Sequence, residues 1–182
     1  MRWNHRNRTA AFLLVSAALV SGCLTTQPEP LRAPEENPSA VLDTTYGLID
    51  AIAQQAPAWV KNGPVLVATF VDVDQLEHSS TLGRAITEQA STRLVQLGFP
   101  VVEVKLRASL FVKQDTGELL LSREIGQIAR EQSARAVLVG TYAVGKRAVH
   151  INAKLVDPTQ GTILAAQDSV LALDSHVKSL LR

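Results

Sequence analysis

The chain has 182 residues, 46% of them hydrophobic and only 4% aromatic, with 18 Lys plus Arg against 17 Asp plus Glu. That composition excludes a disordered tail protein, a collagen-like repeat and a strongly basic nucleic-acid binder. A single cysteine, Cys23, excludes an intramolecular disulfide framework, a Cys-rich zinc site and a CxxC redox pair.

The first eight residues carry Arg2, Arg6 and Arg8, and no acid precedes Glu29. They lead into TAAFLLVSAALVSG, an uncharged apolar run too short to be a comfortable membrane span on its own. The run closes on Leu19-Val20-Ser21-Gly22-Cys23, which resembles a bacterial lipobox cut between Gly22 and Cys23. Small side chains fit a signal-peptidase subsite beside the scissile bond, and the thiol is the nucleophile that takes up diacylglycerol. A buried core cysteine is the plainer alternative, but position, basic flank and small neighbours together favour lipidation at Cys23. Each buried acyl CH₂ contributes about 0.8 kcal/mol, so three chains would hold the mature protein at a membrane. Leu24 after the cysteine, rather than Asp, resembles the outer-membrane sorting signal, with the domain facing the periplasm. Without residues 1–22, which hold three arginines and no acid, 15 bases face 17 acids, a net of −2. That near-neutral balance supplies no field for gathering phosphates or anionic lipid.

Residues 23–40 are expected to be the lipidated cysteine and a tether. Pro28, Pro30, Pro34 and Pro38 lie there, half of the chain's 8 prolines. Alternating proline favours extended polyproline II, so the tether would reach on the order of 50 Å. From 41 to 182 there remains enough chain for one domain with a substantial core.

Ser39 can cap a helix whose Val41, Leu42, Thr45, Leu48, Ile49, Ile52 and Ala56 form an apolar stripe ending before Pro57. PVLVATFVDV at 64–73 is almost continuously apolar, as one central strand buried on both faces should be. Residues 81–97 place Leu82, Ala85, Ile86, Ala90, Leu94 and Leu97 at helical spacing, with Gly98 at the C-terminal cap. Phe99 to Leu106 returns as a strand, so a parallel crossover is expected. Residues 110–121 are ambiguous and can form a small hairpin about Asp115-Thr116-Gly117. A short helix follows at about 122–133, with Ser122 as cap and Ile125, Ile128 and Ala129 inward. Strands at 136–144, 147–157 and 161–173, joined through Gly145-Lys146 and through Asp157 to Gly161, form an antiparallel meander. In the middle strand Val149, Ile151, Ala153 and Leu155 alternate with His150, Asn152 and Lys154, giving one core face and one wet face. The fold class is α/β: a single domain with a mixed sheet of about five strands, β-α-β-α-β then the meander, flanked by helices.

Candidate chemistry is sparse. Asp72 and Asp74 end the 64–73 strand one residue apart, with Glu77 beyond, where α/β sheets hold ligands and metals. No third ligand or basic clamp accompanies them, and acids there also complement the start of the 81–97 helix. His5, His78, His150 and His176 are scattered without ligand spacing. Ser175-His176-Val177-Lys178 matches S-x-x-K but reads as a polar tail. Lys105, Arg107 and Lys113 read as a solvated basic strip. With no P-loop, GxGxxG or GxSxG in the sequence, no catalytic, cofactor or metal site is expected, and the chain reads as a binding or scaffolding module.

VEVKLRASLFVK at 102–113, TGELLLSREI at 116–125, AVLVGTYAV at 136–144 and AVHINAKLVDPTQGTIL at 148–164 together resemble the FlgO family of outer-membrane-associated flagellar proteins. The resemblance covers most of residues 41–173. It implies a non-enzymatic role in motility, within an outer-membrane disk around the basal body, beside proteins of FlgP and FlgT type and as a homo-oligomer or ring. It brings no catalytic residue, and the near-neutral charge already argues against a nucleic-acid partner. More distantly the domain resembles the fold shared by the TolB N-terminal domain, CsgG and lipoprotein activators of peptidoglycan synthases. That kinship supplies the alternative: a lipoprotein regulating a cell-wall synthase or an envelope secretion assembly.

Overall fold

The apolar run at 64–73 does not form one strand. In the computed structural model, which describes residues 37–76, 79–103 and 123–182, it gives β1 (Val65–Val67) and β2 (Val71–Asp72). Both pair in parallel with β4 (Ala136–Val144), Val67 opposite Leu138 and Val71 opposite Thr141. Four steps on one strand face three on the other, so one extra residue is accommodated between them, as in a β-bulge. The core records the slip. Val65, Val67 and Phe70 point into one hydrophobic cluster, while Leu66, Ala68 and Val71 point into the other, so the alternation resets at Thr69.

The bulge takes Phe70 off the ladder, and α2 (Thr81–Gln96) meets its backbone needs. The Phe70 N–H donates to Thr87 Oγ1 at 2.9 Å, and the Ser79 hydroxyl donates to Phe70 O at 2.8 Å. Two glycines permit the approach: a Cβ on Gly140 would lie 2.1 Å from the Phe70 ring, and one on Gly83 would lie 2.3 Å from Phe70 O. The strand-helix join is therefore filled by Phe70 itself.

Around this join the sheet runs β3-β1-β4-β5-β6, with β3 at Val101–Glu103, β5 at Ala148–Val156 and β6 at Ile163–Ala172. β3 is parallel to β1, as the strand-helix-strand order predicts, and β4, β5 and β6 form the expected antiparallel meander. With β2 also on β4, the sheet has six strands. α1 (Ala40–Gln55) and α2 cover one face, burying Leu48, Ile49, Ile52, Leu82, Ile86 and Leu94 against Val149, Ile151, Ala153 and Leu155. α3 (Arg123–Glu131) covers only part of the other face, where Ala129 joins Leu66, Val137 and Val139. Residues 104–122, with the possible 110–121 hairpin, the Ser122 cap and the end of the Phe99 to Leu106 strand, lie outside the described residues.

The caps show which local readings carry over. Gly98 takes φ +83°, and hydrogen bonds from Gly98 N–H to Val95 O and from Phe99 N–H to Leu94 O close the end of α2 as a Schellman motif. Lys61, in a 3-10 turn at Ala58–Asn62, adds a cation there, its Nζ donating to Leu97 O at 3.2 Å beside the Phe99 ring. Ser39 stands at the start of α1, but its hydroxyl binds the Asp43 carboxylate at 2.7 Å and caps no backbone amide. Gly145 N–H bonds Ala148 O, so Lys146-Arg147, not Gly145-Lys146, forms the tip of the β4–β5 hairpin. The 175–182 tail is not merely polar. It forms α4 (Ser175–Leu180), capped by the buried Asp174 carboxylate accepting from Val177 N–H at 2.7 Å, and it buries Val177 completely.

α1 and α2 are joined by Arg93, whose Nε and Nη2 donate to the two Asp50 oxygens at 2.7 and 2.8 Å, with the guanidinium also over the Tyr46 ring. Hydrogen bonding to Arg93 holds the Asp50 carboxyl below its ordinary range, partial burial opposes this, and charge attraction adds to it. A depressed carboxyl stabilises the fold above its unfolded pKa of about 3.9 and loses that contribution as pH falls through the folded value. The pair is partly exposed, so solvent screens it. Asp50→Asn should therefore lower stability at neutral pH, with the difference from wild type disappearing under strong acid; urea titrations across the acid range measure it. Gly140→Ala should destabilise by about 1–3 kcal/mol through the clash with Phe70, and Phe70→Leu in the same chain should return part of that loss, read from urea midpoints at unchanged m.

Candidate functional site

Among the described residues, the carboxylates at the end of β2 are joined by no third metal ligand. Asp72 Oδ1 accepts the backbone N–H of Asp74 at 2.9 Å, and Asp72 O accepts from Gln75 N–H, so Asp72 closes the turn that ends the strand. The start of α2 is capped by a hydroxyl instead of an acid: Ser80 Oγ accepts from Gly83 N–H at 3.2 Å, and no acid stands in the first turn. Tyr142 seals the same corner, its hydroxyl donating to Ser80 Oγ at 2.8 Å and accepting from Ser80 N–H at 3.1 Å. The usual ligand position of an α/β sheet is thus filled by Phe70, Tyr142 and the two serines.

The other singled-out residues fall apart in space. His150 is exposed on β5, and His176 sits in the first turn of α4, beside the exposed Ser175 and Lys178. Cys23, Glu77, His78, Lys105, Arg107 and Lys113 lie outside the described residues. Among the described residues no three His, Cys, Asp or Glu side chains come together as a metal site, and no helix is long and apolar enough to cross a membrane.

What the wet face of the meander does hold is a shallow groove of about 280 Å³. Register builds it: Thr141, Asn152 and Asp168 stand in one row across β4, β5 and β6, and Ala143, His150 and Val170 stand in the next. Val73, just past β2, closes one side. The Asn152 side chain donates to Asp168 Oδ1 at 2.5 Å. Sequence alternation placed His150 and Asn152 on a wet face but could not bring Thr141 and Asp168 beside them, because that depends on cross-strand register.

A family profile described as FlgO protein matches residues 46–176, from the second turn of α1 into α4. The chain belongs to the FlgO family. No curated protein is significantly similar to it. Among solved structures, the FlgO-family chain is similar to the C-terminal domain of LpoB from Salmonella enterica, with TM-score 0.53 and 20% identity over 72% of this chain and 97% of that one. The corresponding domain of LpoB from Escherichia coli gives TM-score 0.50 and 18% identity over 70% and 97%. At such identities the likeness shows a shared fold.

Because Asp72 already serves its own turn, Asp72→Asn with Asp74→Asn should leave the fold intact and should not alter divalent-metal binding. Calorimetric titration with Mg²⁺ and Ca²⁺ is expected to give the same featureless trace for both proteins; a binding isotherm present only in wild type would restore these residues as a metal site.

Proposed function

We propose that this FlgO-family chain is a non-enzymatic lipoprotein, held at the outer membrane through Cys23 and facing the periplasm, that supports flagellar motility as a scaffold of the disk around the basal body. The observation that carries the reading is the family match over residues 46–176, from within α1 to the start of α4. The geometry agrees with it: the end of the parallel strands is packed with Phe70 and Tyr142, and the surface offered outward is a meander face suited to contact. A tether of polyproline character reaching about 50 Å would hold many copies near one membrane, where weak lateral contacts are strengthened by high effective concentration. A homo-oligomer or ring, with partners of FlgP and FlgT type, follows from the same reading.

The second reading, a lipoprotein regulating a cell-wall synthase or an envelope secretion assembly, is kept because the fold is shared with the LpoB C-terminal domain. One strain set separates them. Deletion should reduce spreading in motility agar while leaving sensitivity to cell-wall antibiotics unchanged, and a Cys23→Ser copy should fail to restore spreading and should take up no fatty-acid label. Normal swimming with heightened antibiotic sensitivity would favour the second reading, and full rescue by Cys23→Ser would remove the anchor from the mechanism.

A further inference from the structure

β6 ends the strand order β3-β1-β4-β5-β6, so one side of its backbone has no strand beside it. Three bonds fix which groups point there. Gly145 N–H bonds Ala148 O at the β4–β5 turn, Leu173 N–H bonds Arg147 O in line with β5 and β6, and Ala166 N–H leaves the sheet for Gln55 Oε1 at 3.3 Å. Because bonded and non-bonded pairs alternate in an antiparallel ladder, residues 167, 169 and 171 bond to β5, and residues 166, 168, 170 and 172 turn their backbone groups to the open side. The first half of this edge is blunted: the register shifts at Leu155/Val156, Gln55 takes Ala166 N–H, and the Gln167 side chain donates to Asp168 O at 3.0 Å. The second half, Asp168 to Ala172, carries no proline, bulge or lysine to turn another strand away, and its Val170 is 59% exposed.

We infer that this half-edge pairs with the same edge of a second copy, antiparallel, with Val170 opposite Val170 on the two-fold axis. That register uses the open N–H groups of residues 168, 170 and 172, sets two β-branched side chains face to face and puts Asp168 opposite Ala172. It asks Gln167 only to share or release Asp168 O. Centring on Asp168 instead would oppose two like charges and need the Ala166 N–H that Gln55 holds. The helix above the edge fits a twin. Paired strands lie about 4.8 Å apart, whereas the helices covering them need about 8–10 Å. The α1 face that includes Gln55, and so borders the edge, carries Thr44, Gly47 and Ala51, and a Cβ on Gly47 would meet nothing within 4 Å. Below it Gln167 and Ser169 are only half-buried, leaving surface for the second α1 to cover. The inference gives a surface to the self-association proposed above; its test does not read motility, so either can fail alone. Three ladder residues per copy make a patch smaller than a standard interface of roughly 1,600 Å², so the dimer should dissociate in the micromolar range or above.

Cysteine pairing reads the register. The full-length chain in mild detergent, carrying Val170→Cys and oxidised at high micromolar concentration, should form a 170–170 disulfide, mapped by mass spectrometry. It should form about tenfold or more faster than the exposed His150→Cys links to itself; the unsubstituted chain gives the background from Cys23. Asp168→Cys mixed with Ala172→Cys should link 168 to 172, and neither should link to itself. Val170→Lys, which sets like charges on the axis, should abolish the dimer in sedimentation with the urea midpoint unchanged. A 170–170 link no faster than the His150→Cys link, 168–168 links in place of 168–172, or a dimer that survives Val170→Lys would each overturn the inference.

Discussion

The contact of the Phe70 ring with the bare Cα of Gly140 is the constraint on which the rest of the domain depends. A central strand needs its side chains to alternate between two cores, and one inserted residue at 68–70 breaks that alternation. The break is tolerable only because Phe70 can turn into the space that Gly140 leaves, and because Thr87 and Ser79 replace the ladder bonds that its backbone has lost. Those side chains belong to α2 or its lead-in, so the bulge also fixes how closely the helix approaches and why position 83 is glycine. Tyr142, two residues beyond Gly140, then locks Ser80 at the helix start. A half-buried polar network paired in this way makes a rigid corner.

Most of the architecture was legible in the sequence because the strongest signals are periodic. The stripe from Val41 to Ile52 and the spacing from Leu82 to Leu94 specify two helices that form where expected, and Gly98 ends the second because only a residue at ease with positive φ fits there. The alternation in β5 is equally explicit, since one face is wet. The same reasoning explains the misreading at 64–73. A strand buried on both faces has no polar residue to mark which way each side chain points, so an inserted residue leaves no trace in the pattern. At the hairpin, Gly145 suggested the turn position, but cross-strand pairing moved the tip to Lys146-Arg147. In the last residues Ser, His and Lys made the segment look like tail; Asp174 before them and Val177, Leu180 and Leu181 among them were the helix signal, a cap followed by spaced apolar residues.

The site was less legible than the fold, for a reason particular to sheets. Asp72 and Asp74 drew attention because they are neighbours in sequence, and their proximity is spent on a local turn. Thr141, Asn152 and Asp168 are 11 and 16 residues apart and become one row only through the register of two antiparallel pairs. Register follows from which residues are buried and from the length of each turn, neither of which a motif search reads. The proposed function, in turn, rests on family membership and not on any reaction centre.

The two halves of the sheet divide the work between stability and contact. Where β1 and β4 run in parallel, both faces are buried, by α1 and α2 on one side and α3 on the other, so nearly every substitution there acts on folding. Towards β6 the cover is one-sided: Leu155, Ala153 and Ile151 face the helices, while Lys154, Asn152 and His150 face outward on the same strand. On the β6 side the cross-strand neighbours Ala166, Asp168 and Val170 are exposed, so side chains there can change with little effect on the core. A domain of this fold can therefore keep its packing corner at Phe70 and Gly140 and acquire a new partner by altering the outer face of β5 and β6. This accounts, in physical terms, for how a shared architecture can serve proteins with different assignments.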